Sequence, residues 1–347
     1  MNFDIALLLV QDGLTSGAIY ALLALAILLV FAVTRVLYVP QGEFVAFGAL
    51  TLATLQQAKV PGTAYLVAGI GAVTMLLELA AALRARRRQG LATAALLYVA
   101  IPTALLGLAV WLAPRQPPLL VQVLLTLALV VPLGPMTYRL AVQPIANASV
   151  LVLLFVAVAV HYVLMGLGLV FFGAEGWRTP SFTSARIELG PMTASGQSLL
   201  VLAASAVLIV LLWQFFGRTL WGKALRATAM NRVGARLVGI PTEAAGRLAF
   251  TLAALLGAFS GVLIAPFTTI YYDSGFLIAL KGFVGTVIGG MASYPMAALG
   301  AVLVGLLEAF ASFYASAFKE VIVFSLLIPV LLWRSLVSRH VDEEHDE

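Results

Sequence analysis

The chain has 347 residues, of which 62% are hydrophobic and only 10% are charged, with a formal net charge of +5 and no cysteine. Because a soluble domain has roughly 25% charged residues, this composition excludes a water-soluble fold, and the missing cysteine excludes disulfides, thiol catalysis and thiolate metal sites. The apolar runs are continuous over about 20 residues, which favours membrane helices over a β-barrel.

In chain order, the apolar runs predict an all-α polytopic membrane protein with about 9–11 membrane segments. The segments are 13–34, 43–56, 63–83, 91–112, 119–137, 149–172, 198–216, 248–270, 277–291, 296–314 and 320–337. Segments 43–56 and 277–291 are too short to cross a bilayer upright, which predicts half-helices or re-entrant pieces. We interpret 1–337 as a single transmembrane domain and the acidic end, 338–347, as a disordered cytoplasmic tail.

The distribution of cations predicts the orientation of the chain. Short loops rich in lysine and arginine lie on the cytoplasmic side of a membrane. When eleven segments are counted, four basic stretches fall on the same side of the membrane: the run 85–88, Arg139, the loop at 217–247 and Arg334. This arrangement predicts a periplasmic N-terminus and a cytoplasmic C-terminus. It also explains the positive net charge, so no nucleic-acid partner is predicted.

The loop at 217–247 is the most basic polar stretch. Its charged residues are Arg218, Lys223, Arg226, Arg232, Arg236 and Arg247, against the single acid Glu243. Helix-forming residues at 222–239, ended by Gly239 and Pro241, predict one or two short amphipathic cytoplasmic helices. A helix held between two spans can pass force from a soluble partner into the membrane. On physical grounds alone, an ordinary positively charged loop is an equal alternative.

The same loop contains a spacing that imitates a nucleotide-binding motif. Gly217, Gly222 and Lys223 have Walker A spacing, but Ala224 stands where Ser or Thr would hold Mg²⁺, and no strand precedes the motif. We therefore predict no cofactor and no metal in this chain. Any ATP is expected to be used by another subunit.

Three stretches resemble bacterial branched-chain amino-acid ABC transporter permeases of the LivH type. The first is GKALRATAMNRVGARLVGIPTEAAGRLAFTLAALLGAFSGVLIAPF, which resembles the family's coupling loop and following span; its matching residues are Gly222, Ala224, Arg226, Ala227, Ala235, Gly239 and Ile240. The others are DGLTSGAIYALLALAILLVFAVTRVLYVPQGEFVAFGA and KGFVGTVIGGMASYPMAALGAVLVGLLEAF. The middle departs from the family by about one extra hairpin near 63–112, and the Tyr138–Arg139 turn lacks the usual Pro-x-Arg continuation.

The resemblance implies the permease subunit of an ATP-binding-cassette importer in the bacterial inner membrane. Its substrates would be branched-chain amino acids or related small amides and carboxylates. Its partners would be a second homologous permease in a heterodimer, two cytoplasmic ATPases, a periplasmic binding protein and membrane lipid. The ATPases would dock on the loop at 217–247, where Arg232 and Arg236 accompany the matching residues. Such a chain makes and breaks no bond, so no enzymatic activity is predicted.

Ionisable groups at membrane depth are costly, so each one raises a functional hypothesis. The candidate pathway residues are Gly42, Glu43, Lys281, Gly285, Gly289 and Glu308. The alternatives are that Glu43 and Lys281 cap segment ends near the headgroups and that the glycines permit close helix packing. His161 is predicted to be an interior hydrogen-bonding group, and Glu78 is predicted to reach toward the basic cluster 84–88.

A second function remains open from the sequence. In an ion-gradient-driven secondary transporter or a channel, Glu308, Lys281 and His161 would be the ion-coupling groups. An intramembrane enzyme is disfavoured, because no paired His/Asp or Ser/Lys set occurs at helical spacing within the spans.

Overall fold

The structure is a computed structural model that describes residues 3–85, 90–189, 192–291 and 293–343. These residues form fourteen helices and one pair of strands. The helices are α1 (Phe3–Thr34), α2 (Gln41–Gln56), α3 (Gly62–Ala85), α4 (Leu91–Arg115), α5 (Leu119–Ile145), α6 (Val150–Phe172), α7 (Gly196–Arg218), α8 (Leu220–Met230), α9 (Arg232–Leu237), α10 (Thr242–Ile264), α11 (Ser274–Ile288), α12 (Tyr294–Tyr314), α13 (Lys319–Ser325) and α14 (Leu327–Glu343). The antiparallel strands are β1 (Arg186–Leu189) and β2 (Met192–Ser195).

Nine helical stretches within the described ranges are long and apolar enough to cross a membrane, which confirms the predicted helical polytopic protein. Helices α2 and α11 are shorter, with 16 and 15 residues, as predicted for segments 43–56 and 277–291. The strand pair was not predicted and adds a small sheet to the expected all-α fold. Helix α14 continues to Glu343, so 338–343 are helical instead of the disordered tail that we predicted. The predicted tail residues 344–347, and residues 86–88 of the basic run, lie outside the described residues.

The chain forms two compact units. The first, which we call the terminal unit, comprises residues 1–28, 183–209 and 280–347. The second, the central unit, comprises residues 29–182 and 210–279. Their boundaries fall within α1, α7 and α11 and in the segment between α6 and β1, so each unit contains segments distant in sequence.

The central unit has α2 at its core, because every residue from Gln41 to Leu55 is buried. Glycines on α2 and α10 permit this close packing. A Cβ added at Gly48 would lie 2.9 Å from the Cα of Ala258, and one at Gly261 would lie 2.9 Å from the amide nitrogen of Ala49. Helix α2 is therefore enclosed by protein on its whole circumference, which is the condition for a short helix at membrane depth.

The terminal unit is held together by small residues on α1, α11 and α12. A Cβ at Gly17 would lie 2.8 Å from the Cα of Val302, and one at Gly282 would lie 2.7 Å from the Cβ of Leu23. The hydroxyl of Thr286 also donates a hydrogen bond to the carbonyl of Ala24 at 3.2 Å. These contacts position the side chains that α1, α11 and α12 direct at one another.

Candidate functional sites

A buried charge cluster lies in the terminal unit. The ammonium of Lys281 lies 2.6 Å from Oε1 of Glu308 and 3.2 Å from Oε1 of Glu320, although Lys281 is only 6% exposed. The hydroxyl of Tyr20 donates a hydrogen bond to Oε2 of Glu308 at 2.6 Å. We call these four residues the Lys281 cluster. It brings together α1, α11, α12 and α13.

The charges of the Lys281 cluster do not cancel. One lysine faces two carboxylates, so the cluster carries a net charge of −1 when all three groups are ionised. Oε2 of Glu320 is buried and has no hydrogen-bond partner among the described residues. A charge taken out of water is costly unless it is paired and hydrogen-bonded. The arrangement can hold a cation and can accept a further hydrogen bond at Glu320.

The sequence analysis anticipated only half of this cluster. Lys281 and Glu308 were pathway candidates, and the structure brings them together, whereas Tyr20 and Glu320 were missed. Tyr20 lies 288 residues from Glu308 in the chain, and no sequence pattern reports that contact. Glu320 could have been found, because it is an acid at the first position of a predicted apolar segment.

Glu43 and His161 form a second buried pair, which lies in the central unit. Oε1 of Glu43 lies 2.9 Å from Nδ1 of His161, and the Glu43 side chain is fully buried. The ring of Phe276 lies 5.1 Å from that of His161. Glu43 occupies the first turn of α2, where the helix dipole favours a carboxylate. The pair is an ion pair when His161 is protonated, and a pathway role for Glu43 stays a prediction.

The glycine candidates lie at helix contacts. A Cβ at Gly42 would lie 3.0 Å from the Cβ of Ala279, one at Gly285 would lie 2.6 Å from the Cα of Ala301, and one at Gly289 would lie 2.6 Å from the carbonyl carbon of Met296. Such short distances are expected where glycines permit close helix packing, which was the alternative to a pathway role. A pathway role for Gly42, Gly285 and Gly289 stays a prediction.

The basic loop folds as two capped helices in the central unit. Thr219 caps α8 by accepting a hydrogen bond from the amide of Gly222 at 3.0 Å. Asn231 caps α9 by accepting one from the amide of Gly234 at 2.8 Å. Gly239 follows α9 with φ +83°, in the left-handed region that glycine adopts without strain. The predicted pair of short helices is therefore present.

The predicted coupling arginines tie this loop to its own unit. Arg226 donates to the carbonyl of Phe216, Arg232 donates to the carbonyl of Ala146 at 3.2 Å, and Arg236 donates to the hydroxyl of Thr242 at 2.9 Å. Of the other predicted residues, Gly222 and Ala235 are buried, Ala224, Ala227 and Ile240 are half-buried, and Gly239 is exposed. Most of the residues that carry the resemblance therefore shape and anchor the loop.

The loop exposes a set of apolar residues, which we call the docking face: Leu220, Trp221, Met230, Val233, Leu237 and Val238. Leu220, Met230 and Leu237 are 83%, 86% and 84% exposed. The charged residues Lys223, Arg226 and Arg236 are exposed beside them. Large apolar side chains exposed in a polar loop are typical of an interaction surface. These apolar residues were visible in the sequence, but the prediction rested on the arginines alone.

Two further predictions for this region can be compared with the structure. Oε1 of Glu78 lies 2.5 Å from Nε of Arg139, because α3 and α5 lie side by side. The arginines at 86–88 lie outside the described residues, so the predicted contact of Glu78 with that run stays a prediction. The Walker A spacing covers the end of α7 and the first turn of α8, with Thr219 as a helix cap between them. Residues 217–223 are therefore helical on both sides of the Thr219 cap.

The apolar spans, the buried charge pairs and the capped polar loop define a polytopic helical membrane protein. Residues 103–331 match the family described as "Branched-chain amino acid transport system / permease component". Because this match covers more than half of the chain, the chain belongs to that family. The family is one of transport permeases, and the nine apolar helices of the described residues agree with a multi-pass protein of the bacterial inner membrane.

Curated relatives agree with this assignment. The chain is 30% identical over 201 residues to the high-affinity branched-chain amino acid transport system permease protein LivH of Escherichia coli K12, covering 56% of this chain and 65% of the relative. It is 29% identical over 203 residues to the corresponding protein BraD of Pseudomonas aeruginosa, covering 56% and 66%. The matched region thus spans slightly less than two thirds of these relatives. No solved structure matches the chain.

Proposed function

We propose that this chain is the permease subunit of an ATP-binding-cassette importer, coupled to separate ATPase subunits through the loop at 217–247. The docking face is the observation that carries the proposal. A loop that is anchored to its own unit by arginines and that exposes several large apolar side chains is suited to receive a protein partner. Membership of the permease family supports the same role.

The geometry of the loop suits the transmission of movement. Only Thr219 separates α7 from α8, and only 238–241 separate α9 from α10. The buried residues Gly222, Leu225 and Ala235 pack the two short helices against the rest of the central unit. A partner that pushes on the docking face therefore moves α10 and the adjoining end of α7 together with the loop. ATP-driven closure of the ATPases would supply this push.

The proposed substrates are branched-chain amino acids or related small amides and carboxylates. The names of the relatives, which are permease proteins of branched-chain amino acid transport systems, support this class. The proposed partners are a second homologous permease, two cytoplasmic ATPases and a periplasmic binding protein that delivers substrate to the segments near 173–197 and 271–274. The chain itself forms half of the translocation path, and it makes or breaks no covalent bond.

Within the path, we propose that Lys281 and Glu308 belong to a polar stretch that the substrate passes. Charges at membrane depth that face protein or water are the usual marks of such a stretch. Glu43, with His161, is the corresponding candidate in the central unit, and Gly42, Gly285 and Gly289 are proposed to let the adjoining helices slide or bend. The unpartnered oxygen of Glu320 supports a polar environment beside Lys281.

The docking face can be tested by exchanging its apolar side chains for polar ones. We expect Met230→Ser with Leu237→Ser to lower copurification of the ATPases and ATP-dependent uptake at least tenfold, because apolar contact area is lost without disturbing the buried side. Lys223→Ser, at an exposed position of α8 outside the docking face, is the matched control and should retain both. Normal copurification and uptake by the double variant would show that the loop is only a topological anchor.

The Lys281 cluster also fits a second function, that of a transporter driven by an ion gradient, since it combines two carboxylates with one ammonium. A protonophore separates the two functions. Uptake that needs ATP and survives the protonophore supports the importer, whereas uptake that collapses with the gradient supports the alternative.

A further inference from the structure

A cavity in the central unit is lined by residues of α3, α4 and α10, none of which belongs to the docking face or to the Glu43–His161 pair. Its volume is about 480 Å³, and its lining includes Glu78, Ala82, Thr93, Tyr98 and Arg247. The proposed function uses none of these side chains. The cavity includes part of the hairpin at 63–112, which the sequence analysis identified as additional to the family pattern.

The cavity lies at the level where membrane spans end. Ala81 and Ala82 belong to the last turns of α3, Gly90 and Leu91 to the start of α4, and Arg247 to the second turn of α10. All three helices are candidate spans, so these ends mark one surface of the bilayer. Most of the side chains of α3 and α4 lie on the outside of the unit, where lipid surrounds a membrane protein.

The cavity lining carries one carboxylate and one guanidinium, those of Glu78 and Arg247. The carboxylate of Glu78 is compensated by Arg139, whose Nε lies 2.5 Å away. Arg247 is exposed, and within the described ranges of the chain no ion pair is found for its guanidinium.

The cavity is also amphiphilic. Leu97 lines it and is 45% exposed, and Leu96 beside it is 55% exposed, so an apolar wall leads from the cationic end toward the membrane interior. Basic pockets between spans at the headgroup level bind the phosphate of anionic lipids. Arginine binds phosphate with two parallel hydrogen bonds, and an adjacent apolar wall suits an acyl chain.

We propose that this cavity binds the phosphate headgroup of an anionic phospholipid, with Arg247 as the phosphate ligand and Leu97 against the acyl chain. Its lining residues lie outside the docking face, and a bound headgroup would bridge α3 and α4 to Arg247 of α10. A free phosphate ester shares the headgroup chemistry but lacks the acyl chain, which lets an experiment distinguish the two sources.

The test uses the purified full chain and measures retained lipid by native mass spectrometry, with dioleoyl phosphatidylglycerol and dioleoyl phosphatidylcholine as probes. We expect a preference for phosphatidylglycerol that falls about fivefold in Arg247→Gln, since one cation near a membrane surface contributes about that factor. Lys223→Gln removes the same charge from an exposed position outside the cavity and should keep the preference. Equal preferences in both variants would overturn the proposal.

Two further measurements complete the test. One uses a second variant in case Arg247→Gln does not fold, and the other distinguishes a lipid from a soluble phosphate. Ala82→Phe fills the cavity without changing charge and should also remove the preference; unchanged binding by a folded Ala82→Phe protein would contradict the site. Glycerol 3-phosphate should neither compete with the lipid nor raise the thermal unfolding midpoint. Competition by glycerol 3-phosphate at equal concentration would assign the cavity to a soluble phosphate and overturn the lipid.

Discussion

Lys281 lies between two carboxylates at a depth where unpaired charges are expensive. Its contact with Glu308, at 2.6 Å, is completed by the hydrogen bond from Tyr20 to the second oxygen of Glu308. Removing two charges from water costs much of the free energy that their attraction gains. The ion pair by itself therefore stabilises the folded protein little. Removal of one partner is different, because it leaves a buried charge without compensation.

We therefore predict that Lys281→Met destabilises the protein by about 3–5 kcal/mol, the range for breaking a buried ion pair. Adding Glu308→Gln should recover part of that loss, since the double variant leaves fewer uncompensated charges. The measurement is the thermal unfolding midpoint of detergent-purified protein. Lys319→Met, in the adjoining α13 but outside the cluster, is the matched control. Equal midpoints for Lys281→Met and Lys319→Met would show that the cluster is not coupled as described.

At the scale of the element, α2 is the least ordinary helix in the chain. It has 16 residues, and its burial on all sides requires neighbours that approach its backbone closely. Gly48, Gly257 and Gly261 provide that approach: a Cβ at Gly257 would lie 2.8 Å from the Cβ of Phe44. Side chains at these positions would force α2 and α10 apart and open the core of the central unit.

We predict that Gly261→Val prevents accumulation of folded protein or lowers stability by several kcal/mol, because its new atoms meet the backbone of α2. Gly166→Val is the matched control, since a Cβ at Gly166 meets nothing within 4 Å. The yield of monodisperse protein after detergent extraction measures the difference. Similar yields from the two variants would contradict the close packing of α2 against α10.

Run length made most of the spans predictable, because a bilayer demands a continuous apolar segment. The same rule predicted the short α2 and α11. The strand pair β1–β2 was missed because four-residue strands are too short for their alternation to stand out. The contacts of Glu308 with Tyr20 and of Glu43 with His161 were missed because they form through tertiary packing, which sequence spacing does not report. The loop arginines were found, but their role as anchors depends on carbonyl groups that no motif encodes.

At the scale of the whole molecule, the two compact units carry different parts of the proposed function. The central unit holds the loop at 217–247 and the enclosed α2 with Glu43, and the terminal unit holds the Lys281 cluster. Both units are assembled from segments far apart in sequence. The family match at 103–331 therefore includes residues of both units and not a single isolated domain.

The central claim is that ATP hydrolysed by a partner drives uptake through this chain. The direct measurement is uptake of radiolabelled leucine by vesicles that contain this chain with candidate permease, ATPase and binding-protein partners, with ATP on the ATPase side and a protonophore present. The account predicts uptake that requires ATP and the ATPases and persists without an ion gradient. Gradient-driven uptake by vesicles that contain this chain alone would contradict it.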